Sequence, residues 1–166
     1  TTSQPRIVDY TRTLEFLLFH TNEVIILTIA GRLSGTIQAA RSAVDRLSPD
    51  DRGRVTLIDT TTVSAAFGLI ARRVAEALRS GVPAREAADL ARDLAERTEI
   101  FITVPSLDNL VRSGRVGRMK GIVARLFNLK PVLRVEPDGS IGKAGTVFGV
   151  RGGRKRLLEA FADVAD

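Results

Sequence analysis

Cysteine and tryptophan are absent from these 166 residues, and histidine, tyrosine and methionine occur once each. Without cysteine there are no disulfides, thiolate metal sites or cysteine nucleophiles, and one histidine cannot build a His-rich metal cluster. Aromatic residues make up 5% of the chain, and they are not interleaved with the basic residues, so no stacking platform for single-stranded nucleic acid is visible. No apolar run approaches the roughly 20 residues of a membrane-spanning helix. No acid pair, Ser–His–Asp series or metal-ligand spacing stands out, so we expect no catalytic residue, no metal and no cofactor beyond a bound ligand. The expected setting is the cytoplasm.

What is present is ordinary globular material, with 44% hydrophobic residues and a length suited to one domain or parts of two. The formal charge is +6, but much of the arginine shares helical stretches with acids, as in Arg85, Glu86, Asp89, Arg92, Asp93, Glu96 and Arg97. That pattern reads as a solvated face with local ion pairs. The basic excess lies between Arg112 and Lys130, and nucleic-acid binding ranks last among the readings we weigh. The chain opens at Thr1 without methionine and closes within a helical pattern at Asp166, so we read it as a segment of something longer.

Apolar spacing predicts a helix over 9–19 with Asp9 as its N-cap, a strand over 24–30, a helix over 35–47 and a surface turn at 48–53. A second buried strand follows over 55–60, then helices over 66–80 and 84–97 and a third strand over 99–104. This alternation predicts an α/β fold, a parallel sheet flanked by helices. Beyond Pro105 we expect a smaller, incomplete α+β domain. It would contain short helices over 106–111 and 121–126, a β-hairpin turning at Asp138-Gly139, and a final helix from about Gly153. The expected domains are therefore 1–104 and 105–166.

The most informative stretch is Leu33-Ser34-Gly35-Thr36, a hydroxyl-rich turn between an apolar strand and a helix. The first backbone N–H groups of a helix lack intrahelical partners and its N-terminus is positive, while glycine lets a ligand approach the main chain. Ser34, Gly35 and Thr36 therefore form a candidate carboxylate or phosphate site. The alternative is that Ser34 or Thr36 serves only as an N-cap. Asp59-Thr60, with Ser64 and Gly68 beyond, opens on the same sheet edge, where ligands of open α/β sheets bind. We expect Asp59 to hold a loop. Arg112-Ser113-Gly114-Arg115-Val116-Gly117-Arg118 supplies planar cationic donors suited to an anion, or is simply a basic surface loop. His20 suits a helix C-terminus better than a phosphocarrier role.

Thr2-Ser3-Gln4-Pro5, Leu33-Ser34-Gly35-Thr36, Ile58-Asp59-Thr60 with Ser64 and Gly68, Ser113-Gly114-Arg115-Val116, Leu129-Lys130-Pro131-Val132-Leu133 and Asp138-Gly139 occur here in the order seen in the DegV family. In that combination the chain resembles DegV proteins over nearly its whole length. The resemblance implies a bacterial fatty-acid-binding protein of two α/β domains, often the binding subunit of fatty acid kinase. Such a subunit is not itself an enzyme. It presents a long-chain fatty acid to a separate ATP-dependent kinase subunit, and the acyl phosphate formed feeds phospholipid synthesis. Transient contact with a membrane or an acyltransferase is implied as well, and nucleic acid is not a partner.

By the same resemblance, Thr2, Ser34 and Arg115 match the groups at the fatty-acid carboxylate, beside Gly35 and Thr36. The acyl tail would enter an apolar tunnel, where each buried methylene contributes about 0.8 kcal/mol before ordering costs. From their positions, Ile29, Phe67 and Leu69 are expected along it. The family's Asp-Ser opening strand and its terminal His-containing motif have no counterpart here, and Gly145, Thr146 and Phe148 stand where a Lys-x-Arg pattern is usual. An α/β phosphotransfer or phospho-ligand-binding domain using the Ser34–Thr36 turn is the alternative, since fold alone does not separate the two.

Overall fold

Two apolar strands of five residues, β1 (Val24–Thr28) and β2 (Val55–Asp59), pair in parallel with Val24 opposite Val55 and Thr28 opposite Asp59. The protein is seen in a computed structural model that describes residues 4–103, 112, 114, 129–148, 155, 158, 159 and 162. Successive strand side chains point to opposite faces, so this sheet has two cores. Val24, Ile26 and Val55 pack with Leu14 and Leu18 of α1 (Ile7–His20), Ala43 of α2 (Thr36–Val44) and Leu47. Ile25, Leu27 and Ile58 pack on the other face with Ile70 and Val74 of α4 (Ser64–Arg79) and Ala87, Ala88 and Ala91 of α5 (Ala84–Arg97). Burying a side chain such as Ile70, 2% exposed, stabilises by roughly 2 kcal/mol. The three alanines of α5 let it lie close to its neighbours.

The expected turn at 48–53 is instead a short helix, α3 (Pro49–Gly53), because Ser48 accepts the Asp51 N–H and Pro49 occupies its start. Helix α1 begins at Ile7 with Arg6 at the N-cap position, so Asp9 is a first-turn residue and not the cap. The Arg6 guanidinium donates to both Asp9 oxygens, at 3.0 and 2.9 Å, and holds that carboxyl below the usual range. Gly81, with φ of +89°, ends α4 as its sequence position suggested.

The expected third strand is present as β3 (Phe101–Thr103) but does not join the parallel sheet. It pairs antiparallel with β4 (Leu129–Val135), which in turn pairs antiparallel with β5 (Ile141–Phe148). Among the described residues β3 hydrogen-bonds within this second sheet alone, and the compact units divide after Thr98, ahead of the boundary expected at 104/105. The β4–β5 hairpin turns where expected. Gly139 has φ of +78°, and Asp138 Oδ1 accepts the Ser140 N–H at 2.9 Å. The helices expected over 106–111 and 121–126 lie outside the described residues but for Gly114 and Arg112 nearby, as does most of the helix expected from Gly153.

Candidate functional site

Both parallel strands end at one sheet edge, and the loops leaving it are stitched together. The Thr60 N–H and Thr60 Oγ1 both donate to the Thr28 carbonyl, at 3.1 and 2.9 Å, and the Ala30 N–H donates to the Thr62 carbonyl at 2.8 Å. Asp59 is the hub of this junction. Its Oδ1 and Oδ2 accept the Gly31 N–H at 3.2 and 3.0 Å, and Oδ1 also accepts the Thr61 N–H at 2.9 Å. A Cβ at Gly31 would lie 2.6 Å from Asp59 Oδ2, so the close approach of the two loops requires glycine there. Asp59 thus holds loops together, as its place at a strand end suggested.

The loop after β2 carries strain. Thr61 and Ser64 adopt φ of 49° and 56°, a left-handed conformation that costs a side-chain-bearing residue about 1–2 kcal/mol. Such residues cluster at functional sites. Between them Thr62 is 3% exposed, and its Oγ1 finds no hydrogen-bond partner among the described residues. Helix α4 starts from Val63 with no side-chain cap.

The neighbouring turn precedes α2. Ser34 Oγ and Thr36 Oγ1 lie 2.7 Å apart, and the Thr36 N–H donates to Ser34 Oγ at 3.3 Å. One hydroxyl donates to the other, so one of the pair's two protons remains for a further acceptor. The N-cap of α2 is Gly35, which offers no side-chain bond, so neither Ser34 nor Thr36 is the N-cap. The positive end of α2 lies beside these two half-buried hydroxyls, of which Ser34 Oγ accepts the first helix N–H.

Gln4 completes the turn. The space a Cβ would take at Gly35 is occupied by the Gln4 side-chain oxygen, which places Gln4 directly against the Ser34-Gly35-Thr36 turn. Thr2 and Arg115 themselves lie outside the described residues. Ile29 is half-buried just past β1, and Phe67 is half-buried in the first turn of α4. Leu69 stands on the outer side of α4, 55% exposed, whereas Ala66, Ile70 and Val74 form the buried side. The sequence marks Gln4 only as part of the Thr2-Ser3-Gln4-Pro5 segment, without a role, and gives no role to Gly31, Thr28 or Thr62. The Thr60-Thr61-Thr62 run after Asp59 was the available signal. Among the described residues no three His, Cys, Asp or Glu side chains come together as metal ligands.

A family model described as "Uncharacterised protein, DegV family" matches residues 1–166. The chain belongs to the DegV family. A DegV domain-containing protein of Deinococcus radiodurans is 34% identical over 165 residues, 99% of this chain and 54% of that relative. The structure of a DegV family protein from Thermus thermophilus, described by its fatty acid binding, superposes with a TM-score of 0.90 at 34% identity. That match covers 100% of this chain and 57% of the Thermus chain. A Thermotoga maritima protein, whose structure is described as revealing a fatty acid binding function, gives a TM-score of 0.78 at 27% identity, covering 98% of this chain and 55% of that one. This DegV chain therefore spans about half the length of the relatives it matches.

Proposed function

We propose that this DegV chain carries the carboxylate-holding part of a fatty-acid carrier. The observation behind the reading is the Ser34–Thr36 hydroxyl pair, with one spare proton, at the start of α2, where Gly35 occupies the N-cap position. A carboxylate oxygen there would accept a hydroxyl hydrogen bond and meet the positive end of α2. Thr2 and Arg115 join this group on the strength of the family match. Ile29 and Phe67, with Leu69 at the outer side, are assigned to the acyl tail. The carrier is not itself an enzyme. In this reading a separate ATP-dependent kinase in the cytoplasm takes the presented carboxylate to acyl phosphate for phospholipid synthesis, with the unit from Glu99 onward beginning the second domain.

Denaturing extraction of the purified chain followed by mass spectrometry tests the lipid role, with near-stoichiometric long-chain fatty acid expected. Hydrogen bonds to a charged group contribute about 1.5–3 kcal/mol, so Ser34→Ala should weaken binding of added palmitate roughly ten- to hundredfold. Unchanged affinity in a folded Ser34→Ala variant would remove this turn from the carboxylate site. A phospho-ligand is the second reading, because α2 and α4 both start at the same sheet edge from N-cap residues, Gly35 and Val63, whose side chains accept no helix N–H. Competition between inorganic phosphate and palmitate separates the two, since a phosphate site would be displaced at low phosphate concentration.

A further inference from the structure

The outward side of α1 carries large apolar side chains among its polar ones. Phe19 is 86% exposed, Phe16 63% and Val8 40%, although the opposite side of the same helix already buries Leu14 and Leu18. Val8, Arg12, Glu15 and Phe19 follow one another at spacings of four, three and four residues, which places them along a single stripe. The stripe reads apolar, basic, acidic, apolar, and it is its own complement when reversed. A second copy of α1 running antiparallel, about a two-fold axis between Thr13 and Leu14, sets Val8 against Phe19 of the other copy. The same operation sets Arg12 against Glu15 of the other copy, and symmetry repeats each contact.

We infer that this chain self-associates through α1, two copies pairing antiparallel along Val8, Arg12, Glu15 and Phe19, with Phe16 closing beside the seam. A lipid surface fits the patch less well. An anionic bilayer attracts Arg12 but repels Glu15 in the same stripe, whereas a second copy supplies Arg12 to Glu15 and satisfies both. The 14 residues of α1 make a seam about 21 Å long, at the small end of specific interfaces. The association is therefore weak and concentration-dependent. It does not depend on what the Ser34 turn binds.

Sedimentation velocity on the 166-residue chain, from low micromolar to near-millimolar concentration, reads the equilibrium directly. The mass is expected to rise from 18.0 kDa toward twice that value, and Phe19→Asp should keep the chain monomeric throughout. Arg12→Glu and Glu15→Arg should each raise the dissociation constant about tenfold, and the double swap Arg12→Glu/Glu15→Arg should return it to within about threefold of the original. That rescue distinguishes a specific seam from apolar stickiness or a folding defect, with circular dichroism confirming helix content in every variant. A monomer at the highest concentration, association that survives Phe19→Asp, or a double swap without recovery would each overturn the inference. So would a monomer that sediments with phosphatidylglycerol vesicles and loses them on Phe19→Asp, which would assign the patch to a lipid surface.

Discussion

Gly31 and Gly35 differ in what an added methyl group would strike, and the difference separates folding from binding. At Gly31 the methyl would meet Asp59 Oδ2 at 2.6 Å and Ile37 Cγ2 at 3.0 Å. The carboxylate cannot withdraw without breaking its bonds from the Gly31 and Thr61 N–H groups. Gly31→Ala should therefore cost about 1–3 kcal/mol, read as a lower denaturation midpoint. At Gly35 the methyl would meet the amide end of the exposed Gln4 side chain, which can swing aside, and φ of −72° suits any residue. Gly35→Ala should keep stability within about 0.5 kcal/mol yet weaken fatty-acid retention by displacing Gln4 from the turn. Full retention would place Gln4 outside the site. Gly35 was legible in the sequence as a point of close approach, because turn glycines between a strand and a helix carry that meaning locally. That the approaching group is Gln4 was not legible, because the two positions meet only through the folded chain.

Among the elements, α3 shows how local signals can be misread while remaining correct physics. Ser48, Pro49 and Gly53 look like chain breakers in a row, yet serine before proline is also how a helix starts. Ser48 Oγ accepts the Asp51 N–H at 3.1 Å and donates to Asp51 Oδ2 at 3.0 Å. Ser48→Ala should destabilise by about 1 kcal/mol in urea denaturation, and an unchanged midpoint would mean the cap contributes nothing. The same small helix leads to Arg54, which donates to the Leu18 and Asn22 carbonyls at 2.8 Å each and so closes the end of α1. Helix α5 was readable to its limits, since a long alanine-rich amphipathic run is insensitive to its surroundings. Strand β3 was readable as a strand but not as a member of any particular sheet. Three residues carry no periodic information about which neighbour they pair with.

At the scale of the whole molecule, the charge of +6 is less directed than its size suggests. Arg72 and Arg73 face Glu76, Arg92 faces Asp89, and Arg97 faces Asp93, all on exposed helix sides. These pairs make the arginine-rich helices solvated surface, as their spacing indicated. Fluorescence anisotropy with a labelled single-stranded oligonucleotide should accordingly show no binding at physiological salt, and binding there whose affinity falls steeply as salt is raised would reinstate a nucleic-acid role. The sequence by itself determined the alternation of strands and helices, the hairpin at Asp138-Gly139 and the hydroxyl-lined Ser34–Thr36 turn at a helix start. Each of these follows from side-chain period or from hydrogen bonds between near neighbours in the chain. Only the tertiary structure decided that β3 leaves the parallel sheet, that the units divide after Thr98, that Asp59 ties Gly31 to Thr61, and that Gln4 rests on Gly35. Those outcomes depend on contacts between segments distant in sequence, whose free energy comes from packing and loop closure and leaves no local pattern to read.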